Sequence, residues 1–157
     1  MKDIFTSHLD WIGARHGSTA DASGFSRNLS VTVGGRLLAM SSAPAFQGDD
    51  GRINPKQLFV AAISACQALT FLAIAARKQV EVVSYSDDAE GWLENVDGRL
   101  RMSRVVLRPR IVLGRTAEQP LAQELVERAH GQCFIGNSVT AAVTVAPLFE
   151  HAERSAA

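Results

Sequence analysis

The spacing of hydrophobic positions changes along the chain, and each change predicts an element. Leu9 to Ala14 reads as a short extended segment, and Leu29 to Val33 alternates Leu29, Val31 and Val33 with Ser30 and Thr32, as a half-buried strand does. Arg36 to Met40 follows across Gly34-Gly35, a pair that predicts a tight hairpin. Ser41 to Ile53 concentrates Ser, Pro, Gly and Asp without any period, so it predicts a long loop, and loops of that length inside compact domains are often functional. Asn54-Pro55 then predicts a helix start. Asn can accept from the unpaired amides of a first turn, and Pro at the first helical position gives up no needed donor.

That helix is predicted to run to about Lys78 and is almost entirely apolar from Leu58 to Ala76. A stretch of that length approaches a membrane span. Its many alanines, together with Ser64, Gln67 and Thr70, point instead to a core helix buried on nearly every side. Strands are predicted at Val80 to Tyr85 and Ala89 to Val96 around Asp87-Asp88. After the hairpin signal Asp97-Gly98 comes a long strand from Leu100 to Leu113, with an edge or bulge at Pro109. A second, more amphipathic helix is expected over Gln119 to Cys133, with Leu121, Leu125, Val126 and Ala129 on one face. Gly136-Asn137 breaks to a closing strand, Val139 to Val145, and the tail from about 148 to 157 is expected to fray. The whole predicts one α+β domain over residues 1–157.

Composition narrows the function classes. The 157 residues include sixteen basic and sixteen acidic side chains, which cancel, and no basic run exceeds Arg77-Lys78. A nucleic-acid binder is therefore not expected. The N-terminal segment, Met1 to His8, lacks the apolar core of a secretory signal, so the cytoplasm is the expected location, with no membrane partner. A domain of this size needs neither disulfides nor a structural metal for stability, so Cys66 and Cys133 require another explanation.

Neither cysteine belongs to a CxxC pair, which excludes zinc ribbons and thioredoxin-type motifs. One reading makes both cysteines small core hydrophobes. The other makes them redox partners, one thiol attacking an oxidant and the second resolving the sulfenic acid to a disulfide. That chemistry calls for a cation to favour the attacking thiolate, and Arg15, Arg27, Arg36, Arg52 and Lys56 all precede or open the long helix. His130, three positions before Cys133, shares its helix face and is a further candidate to polarise that thiol.

Larger blocks of sequence bear on the choice. Asn54-Pro55-Lys56-Gln57-Leu58 leading to Ala65-Cys66, Ser42-Ala43-Pro44-Ala45-Phe46-Gln47-Gly48-Asp49, Tyr85-Ser86-Asp87-Asp88-Ala89-Glu90-Gly91, Val106-Leu107-Arg108-Pro109 and Ala129-His130-Gly131-Gln132-Cys133-Phe134-Ile135-Gly136-Asn137-Ser138 occur in this order. Together they resemble the OsmC/Ohr family of thiol peroxidases, in its OsmC-like branch, over most of residues 25 to 146. The resemblance implies the OsmC-like fold: an intertwined homodimer in which curved antiparallel sheets wrap two long central helices, with active sites at the interface. It further implies that Cys66 is the peroxidatic cysteine and Cys133 the resolving one. Phe25-Ser26-Arg27 best matches the family's aromatic-Ser-Arg block, which makes Arg27 the expected activating cation and Arg36 the runner-up. The family usually has Glu directly after Asn-Pro, pairing with that arginine; here the position is Lys56, which reverses the charge, and Asp49 or Asp50 are candidates to take over the pairing. Gln67-Ala68-Leu69 replaces the His-Met-Leu often seen after the cysteine.

The function expected from this resemblance is reduction of organic hydroperoxides to alcohols without haem, flavin or metal. Cys66 would be desolvated beside Phe59, Leu69 and Phe71, with Lys56 also at the pocket, and a Cys66–Cys133 disulfide would be reduced by a dithiol, either a lipoylated protein or a thioredoxin-like partner. The alternative, motivated by Lys56, is a non-catalytic member that binds a small molecule or senses thiol oxidation. A third reading, a structural domain with inert buried thiols, predicts cysteines that resist alkylation in the folded state.

Overall fold

A computed structural model describes residues 2–152, apart from the side chains of residues 14 and 15. The Arg15 side chain and residues 153–157 of the expected tail therefore lie outside the described residues. The chain divides into two compact units, between Leu58 and Phe59.

In the first unit, β1 (Ser7–Asp10), β2 (Leu29–Val33) and β3 (Arg36–Met40) form an antiparallel sheet in the order β1-β2-β3. Gly34 and Gly35 both take positive φ, 55° and 74°, as the hairpin signal required. The first strand lies earlier than expected and stops at Asp10. Trp11 turns its indole to donate to the Ser26 carbonyl at 2.8 Å, and Gly13–His16 winds into a 3-10 turn instead of extending. The long loop is closed at its base, where Met40 bridges Ile53 and the Ser41 N–H donates to the Ile53 carbonyl at 3.0 Å. Asn54 caps α1 (Pro55–Arg77) as predicted. Its Oδ1 accepts from the Lys56 and Gln57 N–H groups at 3.0 and 3.3 Å, and the Gln57 side chain returns to the Asn54 N–H at 2.8 Å.

The second unit carries the rest of α1, followed by β4 (Val82–Asp87), β5 (Glu90–Val96), β6 (Arg99–Leu107), β7 (Pro109–Leu113), α2 (Gln119–Gln132), β8 (Ala142–Val145) and β9 (Leu148–His151). Two three-stranded sheets result, ordered β4-β7-β9 and β5-β6-β8. The single strand expected from Leu100 to Leu113 is two strands in different sheets. Pro109 lacks the N–H that would continue the ladder, and the Arg108 N–H instead donates to the Asp87 carboxylate at 2.7 Å. Asp87-Asp88 accordingly does not turn a hairpin, because β4 pairs with β7. Pairings expected to be antiparallel include two parallel ones, β6 with β8 and β7 with β9. Leu148–His151, expected to fray, is held along β7 as β9.

α1 is buried on one face rather than all round. Ile63 packs on Val105 and Leu107 of β6, while Phe71, Ile74 and Ala75 pack with Ile111 and Leu113 of β7 and with α2. The buried stripe of α2 is Ala122, Leu125, Val126 and Ala129; Leu121, expected among them, is exposed. Along the other face of α1, Ala62, Ala65, Leu69 and Leu72 remain exposed, Leu69 to 69%. By length and composition alone α1 could cross a membrane, and among the described residues no other helix could. Its buried face, however, holds Gln67, and Ser64 beside that face donates to Asp87 at 2.5 Å. These polar contacts belong to a helix packed on protein.

Candidate active site

Cys66 lies in the middle of α1, one position before fully buried Gln67, so its side chain emerges at the border between the packed and the open faces and is half-buried. Cys133 follows the last residue of α2 and is almost completely buried, continuing the stripe that Val126 and Ala129 begin. Both are free thiols. The turn after Cys133 is tightly wound. The Asn137 N–H donates to the Cys133 carbonyl at 2.9 Å, the Asn137 side-chain amide to the Gly131 carbonyl at 3.0 Å, and the Ser138 hydroxyl to the Phe134 carbonyl at 2.7 Å. Among the described residues the Phe134 and Ile135 N–H groups find no backbone acceptor, and both lie close enough to Cys66 to lower its pKa.

The electrostatic consequence separates the two thiols. Burial pushes Cys66 up, but the Ile135 N–H, the Cys133 side chain and the Phe134 N–H near its sulfur outweigh it, and its pKa falls below the ordinary 9.0; the Thr70 hydroxyl donates to the Cys66 carbonyl at 2.8 Å. Cys133 moves the other way. Burial raises it, and the neighbouring Cys66 raises it further, against partial relief from the Gly136 N–H, which donates to its sulfur at 3.3 Å. Cys66 is thus the more acidic thiol of the pair and Cys133 the less acidic one. Such an arrangement can present a nucleophile to an oxidant and hold a second sulfur within reach of the product.

Cys66 opens into a groove of about 790 Å³, whose walls include Leu69, Thr70, Ala73, Arg77 and Phe134. Of the three apolar neighbours expected, only Leu69 lines this groove. Phe71 is wholly buried and stacks on Tyr85 in the core, with ring centroids 6.0 Å apart, so it is a packing residue. Phe59 lines a separate depression with Met102 and Val139 and packs beside Ile63. Gln67, beside the cysteine in sequence, turns into the core and donates to the Val126 carbonyl at 3.3 Å, its own carbonyl unpaired. His130 meets Cys133 through the backbone, accepting its N–H at 3.4 Å. Sequence reasoning missed Thr70, Phe134 and Ile135. Thr70 was findable at helical spacing of four from Cys66, whereas the two N–H donors are backbone groups that no side-chain motif marks.

Arg27 and Lys56 lie in the first unit and line one cavity there, of about 310 Å³. The Arg27 guanidinium sits 3.8 Å over the Phe25 ring and donates to the Phe25 and Ala22 carbonyls at 2.6 and 2.7 Å. Asp49, one of the two candidates with Asp50 to take over the pairing with arginine, pairs with Arg52 at 3.2 Å, and the Gly51 N–H followed by Arg52 holds its carboxyl below the usual range. Asp50 and Arg36 are exposed. Among the described residues no three His, Cys, Asp or Glu side chains gather as metal ligands would.

Two neighbouring free thiols, one on a long helix and one closing a shorter helix, with both helices packed on mixed sheets, define an α+β protein with a pair of cysteines at one site. The chain belongs to the OsmC-like protein family, whose model matches residues 48–147 and so includes both cysteines. Its structure is similar to that of an OsmC-like protein of unknown function from Vibrio cholerae O1 biovar eltor str. N16961, with a TM-score of 0.85 and 29% identity over 94% of this chain and 100% of that one. It also shares its fold with an organic hydroperoxide resistance protein from Elizabethkingia anophelis, with a TM-score of 0.69 and 22% identity over 97% of this chain and 100% of that one. In sequence, the uncharacterised protein YmaD of Bacillus subtilis (strain 168) is 24% identical over 112 residues, 69% of this chain and 75% of YmaD. Within the single chain, the α+β arrangement of sheets and two helices expected from the motifs is the one found, and it matches these OsmC-like neighbours.

Proposed function

We propose that the protein is a cysteine peroxidase that reduces organic hydroperoxides. The Cys66 thiolate attacks the distal oxygen of the hydroperoxide; an S–O bond forms, the O–O bond breaks, and the alkoxide leaves as the alcohol after taking a proton. The Cys66 sulfenic acid then condenses with Cys133, forming the S–S bond and releasing water. A dithiol, on a lipoylated or thioredoxin-like protein, restores both thiols by exchange and is itself oxidised. Arg27 is proposed as the cation that assists the thiolate, with Arg36 second. A homodimer and a cytoplasmic location complete the reading, the latter in keeping with two free thiols.

The observation that carries this proposal is the opposed direction of the shifts of two neighbouring free thiols, Cys66 opening into the groove and Cys133 buried beside it. The apolar groove supports an organic substrate, since each methylene buried there contributes about 0.8 kcal/mol, or roughly fourfold in affinity, that hydrogen peroxide cannot gain. The test exposes reduced protein to a slight excess of cumene hydroperoxide, quenches with an alkylating agent and maps the cysteines by peptide mass spectrometry. A Cys66–Cys133 disulfide and stoichiometric alcohol are expected, and both should vanish in Cys66→Ser. Undiminished hydroperoxide consumption by Cys66→Ser would overturn the mechanism. A second reading, a thiol sensor without turnover, is favoured by Lys56 standing where the family usually has an acid. It predicts the disulfide but no sustained consumption with any dithiol.

A further inference from the structure

Gln67 is a polar side chain in an apolar core. It is 1% exposed, on the face of α1 that also carries Ile63, Phe71 and Ile74, and only half of its amide is used. Nε2 donates to the Val126 carbonyl at 3.3 Å, while Oε1 is buried with no partner among the described residues. A buried carbonyl left unpaired costs more than one long hydrogen bond returns, so this side chain does not stand here for stability. Nor does Val126 need the bond, because within α2 its carbonyl already accepts from the residue four positions on. What the bond does is join the two helices that carry the cysteines. Phe71, Ile74 and Ala75 of α1 meet Ala122, Leu125, Val126 and Ala129 of α2 through apolar side chains, several of them small, and such contact has no directional preference. Among the described residues no other side-chain hydrogen bond runs from α1 to α2, since Ser64 donates to Asp87 and Thr70 to the Cys66 carbonyl. Gln67 adjoins Cys66 in sequence. Val126 lies on the buried stripe of α2 that Ala129 and Cys133 continue, two turns or about 10 Å before Cys133.

We propose that Gln67 is a positioning residue: its bond to Val126 sets the register of α2 against α1 and so holds Cys133 opposite Cys66 for disulfide closure. A register fixed beforehand removes an ordering cost that closure would otherwise carry. Gln67 acts through helix placement and takes no part in the bond changes at sulfur. The inference rests on the proposed Cys66–Cys133 disulfide but not on a hydroperoxide as its oxidant. It separates from a structural role by direction, because removing the amide should impair closure without loss of stability.

The test equilibrates the protein with mixtures of reduced and oxidised glutathione at about pH 8, where a histidine is neutral. The mixtures are quenched in acid, the Cys66–Cys133 disulfide is counted by peptide mass spectrometry, and urea unfolding of the reduced proteins runs beside it. In the exchange, the Cys66 thiolate attacks one sulfur of glutathione disulfide and a glutathione thiolate leaves. Cys133, losing its proton, then attacks the Cys66 sulfur of the mixed disulfide and the second glutathione leaves, so glutathione disulfide is reduced to two thiols as the protein pair is oxidised. Gln67→Met keeps the length of the side chain without the donor. Its equilibrium constant for closure should fall about three- to tenfold below wild type, the net worth of one hydrogen bond, while its urea midpoint holds or rises. Gln67→His carries a ring N–H the same number of bonds from Cα and should restore the constant to within about twofold of wild type. A Gln67→Met constant less than about threefold below wild type would overturn the proposal, and so would Gln67→His closing no better than Gln67→Met. A lowered urea midpoint or a failure to fold in Gln67→Met would also overturn it, by making the amide a stability element. A wild type that forms no disulfide even in oxidised glutathione alone would overturn the disulfide reading itself, and this inference with it.

Discussion

Replacing Ile135 with proline removes one N–H and little else. Ile135 sits at φ −70°, inside the range a proline ring imposes, and its N–H has no backbone acceptor among the described residues, so the turn after Cys133 should survive. What is lost is the N–H that does most to lower the Cys66 pKa. A hydrogen bond to a charged acceptor is worth about 1.5–3 kcal/mol, and a half-buried sulfur to which water has access takes the lower end. That amounts to roughly a tenfold fall in the ratio of thiolate to thiol at any pH below the titration midpoint. The assay is the rate of iodoacetamide alkylation of Cys66 against pH in a Cys133→Ser background, with Ile135→Ala as the control that keeps the N–H. Wild-type Cys66 should react with a midpoint below the 9.0 of an ordinary thiol, Ile135→Ala should follow it, and Ile135→Pro should need a higher pH for the same rate. If Ile135→Pro and Ile135→Ala titrate together, the backbone of this turn does not hold the thiolate.

Two further outcomes test the packing and the assembly. Phe71→Ala should destabilise the protein by about 3–5 kcal/mol, the cost of truncating a wholly buried aromatic side chain, measured by urea unfolding. The folded fraction should keep its Cys66 alkylation profile; a changed profile with unchanged stability would return Phe71 to the pocket. Leu69→Arg should leave monomer stability within about 0.5 kcal/mol, because Leu69 is 69% exposed. It should nevertheless weaken a homodimer built on this face by about 100-fold or more, since a two-fold interface uses each contact twice and each buried leucine contributes about 1.5–3 kcal/mol. Equilibrium sedimentation reads both forms, and a variant that dimerises like the wild type would exclude this face of α1 as the interface.

The elements legible in the sequence were those set by local chemistry. Gly34-Gly35 and Asp97-Gly98 turn hairpins because both residues of each pair take positive φ, and Asn54 caps α1 by bonds no longer than 3.3 Å to residues two and three positions away. Elements fixed by distant partners were misread. Nothing near Pro109 in sequence shows that the chain changes sheets there. The break requires Asp87, more than twenty residues earlier, to accept the Arg108 N–H with one oxygen and the Ser64 hydroxyl with the other. The tail was misread for the same reason: the β9 segment has no hairpin turn to announce it and is held by parallel pairing to β7.

At the site, helical phase on α1 decides which neighbours of Cys66 matter, and here the sequence contained more than adjacency suggests. At about 100° per residue, positions 69, 73 and 77 stay near the azimuth of Cys66, and these are the residues found along its groove. Phe71, five positions on, falls about 140° away, on the side occupied by Ile63, Gln67 and Ile74. Phe59 returns to the azimuth of Cys66 but about 10 Å back along the axis, where it meets Val139 instead. Choosing pocket residues by hydrophobicity and closeness in sequence thus put two core-packed phenylalanines beside the thiol. The donors that lower the thiol's pKa were beyond such reasoning altogether. They are main-chain groups delivered by the turn after α2, and any residue but proline at 134 or 135 would supply them, so they leave no mark in the side-chain sequence. The lowered pKa of Cys66 therefore depends on backbone shape near Cys133, and that dependence is what Ile135→Pro measures.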